Sequence, residues 1–568
     1  MTMTYEEAVA DVTGPGQRFE VGPVDVDGIT YQAFVNAPPS LKDLFAPARG
    51  VERTFLVYED ERWSFGDVMA SADALGAALV SRYGIKKGDR VAIGMRNYPE
   101  WVMAFAGILS VGAISVSLNA WWTEEELDYA LEDCGASVLI ADRERVERSR
   151  PTCQRLGIRT VAVRAGDIGE GGIDEGGIDH WHDVVTPGTP LPDVQVGSED
   201  DATILYTSGT TGHPKGAVST HRAVIQSLYG FGCRAAVEMR RRPPTPPAAG
   251  DAPPNPPAFI LIVPLFHVTG CVSVMLSCFI SQLKLVIMYK WDPEKALEQI
   301  EREKVTNFVG VPTQSFDLLE SPRFKDFDTS SLVSIGGGGA PAPPELVRRV
   351  ANSFAKGGPA IGYGMTETNA YGPQNTGADY LSHPTSTGRA TPILEIEIRD
   401  PDTDAPLPPG ARGEIWFKGP HLIRGYWEKP EATAETIVKG WLRSGDIGRV
   451  DEDGFVYVED RAKDMVLRAG ENIYCAEVEA AIYEHPAVHE AAVFGVPHER
   501  LGEEVAAVVL PRAGHTLTAA ELQEHLRPHL ASYKIPTRIA IVTEPLPRNP
   551  AGKFLKRELR DAFPGLGS

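Results

Sequence analysis

A chain of 568 residues is too long for one hydrophobic core and calls for roughly three to four compact units. Its formal net charge of -22 excludes a nucleic-acid partner and an anionic membrane surface, yet leaves room for a small anion held by a few local donors. The six cysteines (Cys134, Cys153, Cys233, Cys271, Cys278, Cys475) are scattered with no C-x-x-C pair, which fits reduced thiols in a cytoplasmic protein and excludes a disulfide framework or a zinc site.

Residues 1–20 are acidic and lack an apolar core, so no signal peptide is expected. Ser64 is placed to cap a helix with Asp67 in its first turn, and Phe65, Val68, Met69, Ala72, Leu75, Ala78 and Leu79 recur at helical spacing. A strand over 90–95, a helix over 99–110, a strand over 113–116, a helix over 123–132 and a strand over 137–140 follow. This alternation predicts a largely parallel sheet covered on both faces.

Gly171-Gly-Ile-Asp174 recurs as Gly176-Gly-Ile-Asp179 and reads as loop. The segment 240–257 opens on Arg240, Arg241 and Arg242, is dense in proline and reads as an extended surface insertion. Residues 258–283 carry no formal charge, but Pro264, His267, Thr269, Gly270, Ser273, Ser277 and Gln282 interrupt them, so strand, loop and helix are expected instead of a membrane span. Strands over 284–288 and 307–309 flank a helix over 293–304 and complete a second α/β lobe. From about Gly388 short β runs separated by Pro and Gly turns predict a small β-barrel-like unit, and beyond Arg461 a compact α+β domain is expected.

One run resists any reading as core, surface or ordinary turn. After the strand-like 202–206 comes Tyr206-Thr-Ser-Gly-Thr-Thr-Gly-His-Pro-Lys-Gly-Ala217, with three glycines, four hydroxyls (Thr207, Ser208, Thr210, Thr211) and Lys215. Gly209 and Gly212 let the backbone approach an anion, and the hydroxyls and lysine add donors, the combination that triphosphate binding needs. It is not a Walker A loop, because Pro214 precedes Lys215 and Gly216 follows it, and its glycines do not give G-x-G-x-x-G.

Further motifs extend this chemistry. Gly336, Gly337, Gly338 and Gly339 end a strand and lead into Ala340 and Pro341, a run that packs nothing unless another group lies against it. In Tyr363-Gly364-Met365-Thr366-Glu367, the tyrosine can stack on a base, Thr366 can donate to phosphate and Glu367 can hold magnesium. Asp446 in a Gly turn suits a ribose diol, Arg461 lies at a composition boundary, and Lys553 ends a turn near the C-terminus.

In order and spacing these motifs, with Pro264-Leu-Phe-His267, resemble those of the adenylate-forming superfamily, which includes acyl- and aryl-CoA ligases, beetle luciferases and peptide-synthetase adenylation domains. The resemblance runs from about Leu41 to Leu559 and implies an N-terminal AMP-binding domain over 1–460 (two α/β lobes over about 41–387, the β unit over about 388–460). A mobile α+β domain over 461–568 would follow, hinged near Lys463.

It further implies ATP, Mg2+ and coenzyme A. Thr207 to Lys215 would wrap phosphates, Thr207 and Glu367 would set the metal, and Tyr363 would stack on adenine with Gly338, Ala340 and Pro341 against its other face. Gly364, Met365 and Thr366 would complete the nucleotide site, Asp446 would bind the ribose hydroxyls, Arg461 would reach the ribose or phosphate, and Lys553 would be catalytic. Ala469, Gly470 and Glu471 would meet the thiol. Phe266, His267, Thr313, Phe316, Gly336 and Gly337 would line an acyl pocket.

The run 464–479 is most similar to that of fatty and medium-chain acyl-CoA ligases, with Cys475 where proline is common. The expected function is therefore ATP-dependent ligation of a sizeable apolar carboxylic acid to CoA through acyl-AMP. An aryl or terpenoid/steroid-type acid, loading of a carrier protein, and a non-catalytic nucleotide-binding homologue stand as alternatives. The oligomeric state, a homodimer included, is not legible in the sequence.

Overall fold

The computed structural model describes residues 3–166, 178–207, 214–243, 255–340, 342–461, 464–468, 471–549 and 552–566. Two large sheets form its body. In the first, the strands Asp201–Thr207, Ile114–Ser117, Arg90–Gly94, Val138–Asp142, Arg159–Val163 and Ile178–His180 are mutually parallel, and Lys215–Thr220 followed by Gly425–Tyr426 closes one edge antiparallel. In the second, Gly358–Gly362, Ser334–Gly338, Asn307–Gly310, Ala258–Leu261, Lys284–Ile287 and Thr54–Tyr58 run parallel. The two α/β lobes are thus not consecutive stretches of chain, because Thr54–Tyr58 joins the second sheet before the first begins. The β-rich segment after Gly388 joins the same ladder, through the pairing of Gly388–Arg389 with Phe455–Arg461.

Local signals explain the elements. Ser64 and Asp67 form a reciprocal cap on Phe65–Ser81, and Thr123 and Glu126 do the same for Glu124–Cys134. Every residue of Pro99–Ser110 is buried, as befits a helix apolar on all sides, and the helix packs on Phe65–Ser81 within a core that also takes in side chains of both sheets. Two expectations change. The apolar stretch after His267 starts as a π-helix over Thr269–Leu276 and only then becomes α-helical over Ser277–Ser281. Arg240 and Arg241 do not open the proline-rich insertion. They end the helix His221–Arg241, and Arg240, Arg241 and Arg242 pair with Asp11, Glu238 and Asp379; residues 244–254 lie outside the described set. Among the described residues no helix is long and apolar enough to cross a membrane.

The C-terminal residues build a separate sheet, in which Val488–His498 and Gly502–Pro511 pair antiparallel and Arg538–Ile541 lies parallel to the latter. Cys475 is buried there, and desolvation holds its thiol well above the usual range, so it behaves as a small core residue.

Where the two large sheets meet, Asn97 does the joining. It follows the strand Arg90–Gly94, and its amide donates to the Val263 carbonyl (3.1 Å) and the Met288 carbonyl (3.2 Å) while its oxygen accepts from Leu265 N–H (2.9 Å). Three backbone groups at the mouths of two second-sheet strands are satisfied by one buried side chain from the first. Asn97→Leu keeps the volume and strands all three, so it is expected to cost about 2–4 kcal/mol. The check is the midpoint of thermal or urea unfolding; a midpoint equal to that of the parent would remove Asn97 from this role.

Candidate active site

Gly339 follows the carboxyl end of the strand Ser334–Gly338, and a turn from the C-terminal unit comes against it. Asn549 shapes that turn: its N–H donates to the Lys553 carbonyl (2.8 Å), its side-chain oxygen accepts from Lys553 N–H (2.9 Å), and its carbonyl accepts from Gly552 N–H (2.9 Å). Gly552 has φ +80° and lies so close to Val311 that an added Cβ would sit 2.6 Å from a methyl, so only glycine permits this approach. Arg548 braces the base, donating to the Gly552 carbonyl (2.8 Å) and pairing with Glu490 (2.8 Å).

The turn delivers Lys553 against the glycine strand end, where a Cβ on Gly339 would stand 3.8 Å from its Cε. Surrounding protein desolvates the ammonium and Arg461 repels it, while Asp446 and Glu367 oppose both, leaving its pKa pushed down to about 8. His267 is also crowded by protein, and Lys553 adds repulsion, so the ring is pushed down to about 4 and is neutral at pH 7. Its Nδ1 accepts from Thr269 N–H (3.3 Å), which leaves Nε2 as the N–H donor.

Tyr363 donates its hydroxyl to Asp446 Oδ2, and Arg461 Nε lies 3.3 Å from Asp446 Oδ1. Asp446 is raised by burial despite Arg461, Tyr363 and Lys553 nearby. The Tyr363 ring leans on Phe417, with centroids 5.6 Å apart. The loop beyond is folded on itself: a Cβ on Gly364 would meet the Ala370 carbonyl at 2.6 Å, and Met365 N–H bonds Thr368 Oγ1 at 3.1 Å. Thr366 opens the short turn that carries Glu367. A Cβ on Gly338 would meet the Gly362 carbonyl at 2.9 Å, so that glycine answers to strand crowding. Ala340 follows in the turn beyond this strand.

Thr207 and Lys215 face each other in register across the hairpin, with Thr207 Oγ1 3.3 Å from the Lys215 carbonyl. Ser208, Gly209, Thr210, Thr211 and Gly212 lie outside the described residues, as do Pro341, Lys463, Ala469 and Gly470. Glu471 begins the strand Glu471–Ile473.

Two expected pocket residues are engaged elsewhere. The Phe316 ring stacks on Tyr483 of the C-terminal unit (centroids 6.5 Å, planes 14° apart) with Arg349 over it at 5.5 Å, and Thr313 Oγ1 is 3.5 Å from Arg548. The helix Pro312–Glu320 spends this face on docking the C-terminal unit, because aromatic stacking across the interface and a bond to Arg548 occupy it. Phe266 is buried, and Gly336 and Gly337 lie in the strand Ser334–Gly338.

Four residues escaped the sequence reading: Asn97, Tyr426, Arg548 and Glu320. Only Asn97 had a usable cue, an amide directly after a buried strand. At the end of Pro312–Glu320, Glu320 accepts from Arg349 (3.0 Å), Arg512 (2.6 Å) and His489 (3.1 Å). Burial would raise this carboxyl, yet His489, Arg349 and Arg512 hold it down at about 2, and the bond to Glu320 raises His489.

A family model described as AMP-binding enzyme matches residues 45–427, and one described as AMP-binding enzyme C-terminal domain matches residues 477–553. Feruloyl-CoA synthase of Amycolatopsis sp is 36% identical over 483 residues, 84% of this chain and 90% of that protein. The long-chain-fatty-acid–CoA ligase FadD13 of Mycobacterium tuberculosis is 33% identical over 505 residues, 89% and 94% of the two chains. The structure superposes on ATP-bound MatB from Rhodopseudomonas palustris with TM-score 0.78, 28% identity and 93% and 100% coverage. With an anthranilate CoA ligase bound to anthranoyl-AMP the TM-score is 0.81, at 26% identity and 92% and 97% coverage.

Among the described residues Glu320 is the one carboxylate that three cations from two units share, so Glu320→Ala should free the C-terminal unit. A loss on the order of 1–3 kcal/mol of docking free energy is expected, because the cations lose their common partner at a half-buried site. Limited proteolysis near residues 461–465 should accelerate several-fold or more; cleavage at the parent rate would rule the cluster out as a docking contact. His489 is raised, so its share is full below its ordinary value of 6.5 and fades as pH climbs through its raised value.

Proposed function

The chain belongs to the AMP-binding enzyme family and is an AMP-forming acyl-CoA ligase, and from that premise we propose that it activates a sizeable, largely apolar carboxylic acid in the cleft entered by Lys553. The observation that carries the adenylation chemistry is the Lys553 ammonium brought by a second unit beside Asp446, Glu367, Arg461 and neutral His267.

In the first half-reaction a carboxylate oxygen of the acid attacks the α-phosphorus of ATP; the new O–P bond forms as the α–β bridge breaks and pyrophosphate leaves. Lys553 neutralises the charge shared by the carboxylate and α-phosphate oxygens. His267, with Nε2 as donor and too weakly basic to remove a proton at pH 7, orients the acid carboxylate. Asp446 and Arg461 take the ribose hydroxyls, Tyr363 stacks on adenine, and Thr207 with Lys215 holds the leaving phosphates. Mg2+ fits this donor set, since it commonly takes one or two carboxylates plus phosphate oxygens; held by Glu367 and Thr207, it would neutralise the triphosphate.

In the second half-reaction the CoA sulfur attacks the acyl carbonyl and AMP leaves. Lys553 is no longer needed there, so the C-terminal unit turns at Lys463, withdraws the lysine and presents Ala469, Gly470 and Glu471 to the thiol. An aryl acid is the second reading, favoured by the feruloyl- and anthranilate-acting relatives.

Lys553→Ala should lower acid-dependent ATP–pyrophosphate exchange on the order of 10²–10³-fold and leave thioester formation from supplied acyl-AMP largely intact. Equal loss in both halves would refute the two-orientation scheme. Because Lys553 acts charged and is pushed down to about 8, kcat/KM for adenylation should fall as pH rises through about 8 instead of near 10.5. An acid panel read by AMP release, spanning acetate, medium and long fatty acids and hydroxycinnamates, should favour a larger apolar acid; the highest kcat/KM on acetate or propionate would overturn the substrate class.

A further inference from the structure

Building on the ligase reading, we propose that Tyr426 is a positioning residue for the phosphate half of the site, holding Glu367 for the metal and Lys215 for the leaving group as one unit.

Three contacts converge on this side chain. Its hydroxyl donates to Glu367 Oε1 at 2.7 Å. Its ring lies under the Lys215 ammonium, 4.5 Å from the centroid. Its backbone continues the first sheet, pairing with Ala217 two residues beyond Lys215. Neighbouring bonds fix the frame: Ile423 N–H donates to the Glu367 carbonyl (3.0 Å), and Trp427 N–H donates to the Gly216 carbonyl (2.8 Å). Tyr426 N–H is itself taken by Thr433 Oγ1 at 2.9 Å. Asn369, two residues after Glu367, bonds Ser219 (3.0 Å) and the His421 carbonyl (2.9 Å), so the Glu367 loop, the segment 421–427 and the phosphate hairpin are stitched together on both sides of the tyrosine.

The chemistry follows from the inventory of donors. A carboxylate swinging freely loses rotamer entropy when it takes a metal, whereas a phenol on one oxygen fixes its plane and leaves the other oxygen to coordinate. Among the described residues no other side chain donates to Glu367. Burial, with Glu367 adding to it, raises the Tyr426 phenol far above neutrality, so the hydroxyl stays a donor throughout the working range. The ring face keeps Lys215 aimed without neutralising it, which an acidic partner would do. Tyr426 touches neither acid nor nucleotide in this scheme and acts only through Glu367 and Lys215.

Tyr426→Phe removes the hydroxyl and keeps the ring; Tyr426→Leu removes both. The primary readout is equilibrium binding of ATP as a function of Mg2+, and of Mn2+ by paramagnetic resonance, without acid or CoA. Tyr426→Phe should weaken the metal dependence about 10–100-fold and leave metal-free ATP affinity within about twofold. Tyr426→Leu should in addition weaken metal-free ATP binding. In a Glu367→Gln background Tyr426→Phe should add nothing. Unchanged metal dependence in Tyr426→Phe, or full additivity with Glu367→Gln, overturns the assignment. If Tyr426→Leu fails to fold, the Phe variant and the Glu367→Gln cycle still decide. Failure of acid-dependent exchange in the parent would instead strike the ligase reading, since metal and nucleotide binding are measured apart from turnover.

Discussion

A single ammonium sets the terms for the rest of the molecule. Lys553 is held where surrounding protein works against its charge and Arg461 works against it again, with Asp446 and Glu367 as the compensating anions. A cation so placed gains strength toward any anion that arrives, because the local dielectric is low, yet it would be costly to bury permanently. In this structure the charge is delivered by a turn of the C-terminal unit, and under the proposed two-orientation scheme it would be desolvated only while that unit is docked. This explains why the delivering turn is built so tightly, with Asn549 making three bonds within it and Gly552 pressed on Val311.

Docking in turn rests on the helix Pro312–Glu320. One face takes Arg548 at Thr313, Tyr483 at Phe316, and Arg512 with His489 at Glu320. At the other end, Val311 meets Gly552 and donates its N–H to Gln314 within the same turn. One short helix therefore reads the position of the C-terminal unit along its whole length, while its preceding strand Asn307–Gly310 abuts the glycine strand Ser334–Gly338.

Sequence patterns made the parallel β-α alternation and the Ser64 and Thr123 helix starts legible, because capping boxes and apolar periodicity are local features, whereas the grouping of Tyr363, Asp446 and Lys553 was expected from the family resemblance and not from any local pattern. What stayed hidden was the pairing of distant segments. Thr54–Tyr58 looks like any strand, and only the folded chain shows that it belongs to the second sheet. Gly425–Tyr426 is two residues long and carries no periodic signal, yet it covers the edge strand Lys215–Thr220 of the first sheet. Phe316 and Thr313 sit where a family pattern assigns a pocket, and their neighbours across a domain interface, Tyr483 and Arg548, lie more than a hundred and fifty residues away.

The net charge of -22 bears on how such a site selects its ligand. A strongly acidic chain disfavours free polyanions at long range, so contacts within the Debye length of about 8–10 Å weigh most in holding one. Among the described residues of the site, the cations Lys553, Arg461 and Lys215 stand near Asp446 and Glu367, and two of them are tied to partners that orient them: Arg461 to Asp446 and Lys215 to the Tyr426 ring. Orientation substitutes for number. A triphosphate carrying Mg2+ presents less net charge to the surrounding acidic field than a bare one, so if Glu367 holds the metal as proposed, the acidic surroundings would favour the metal complex over the free anion.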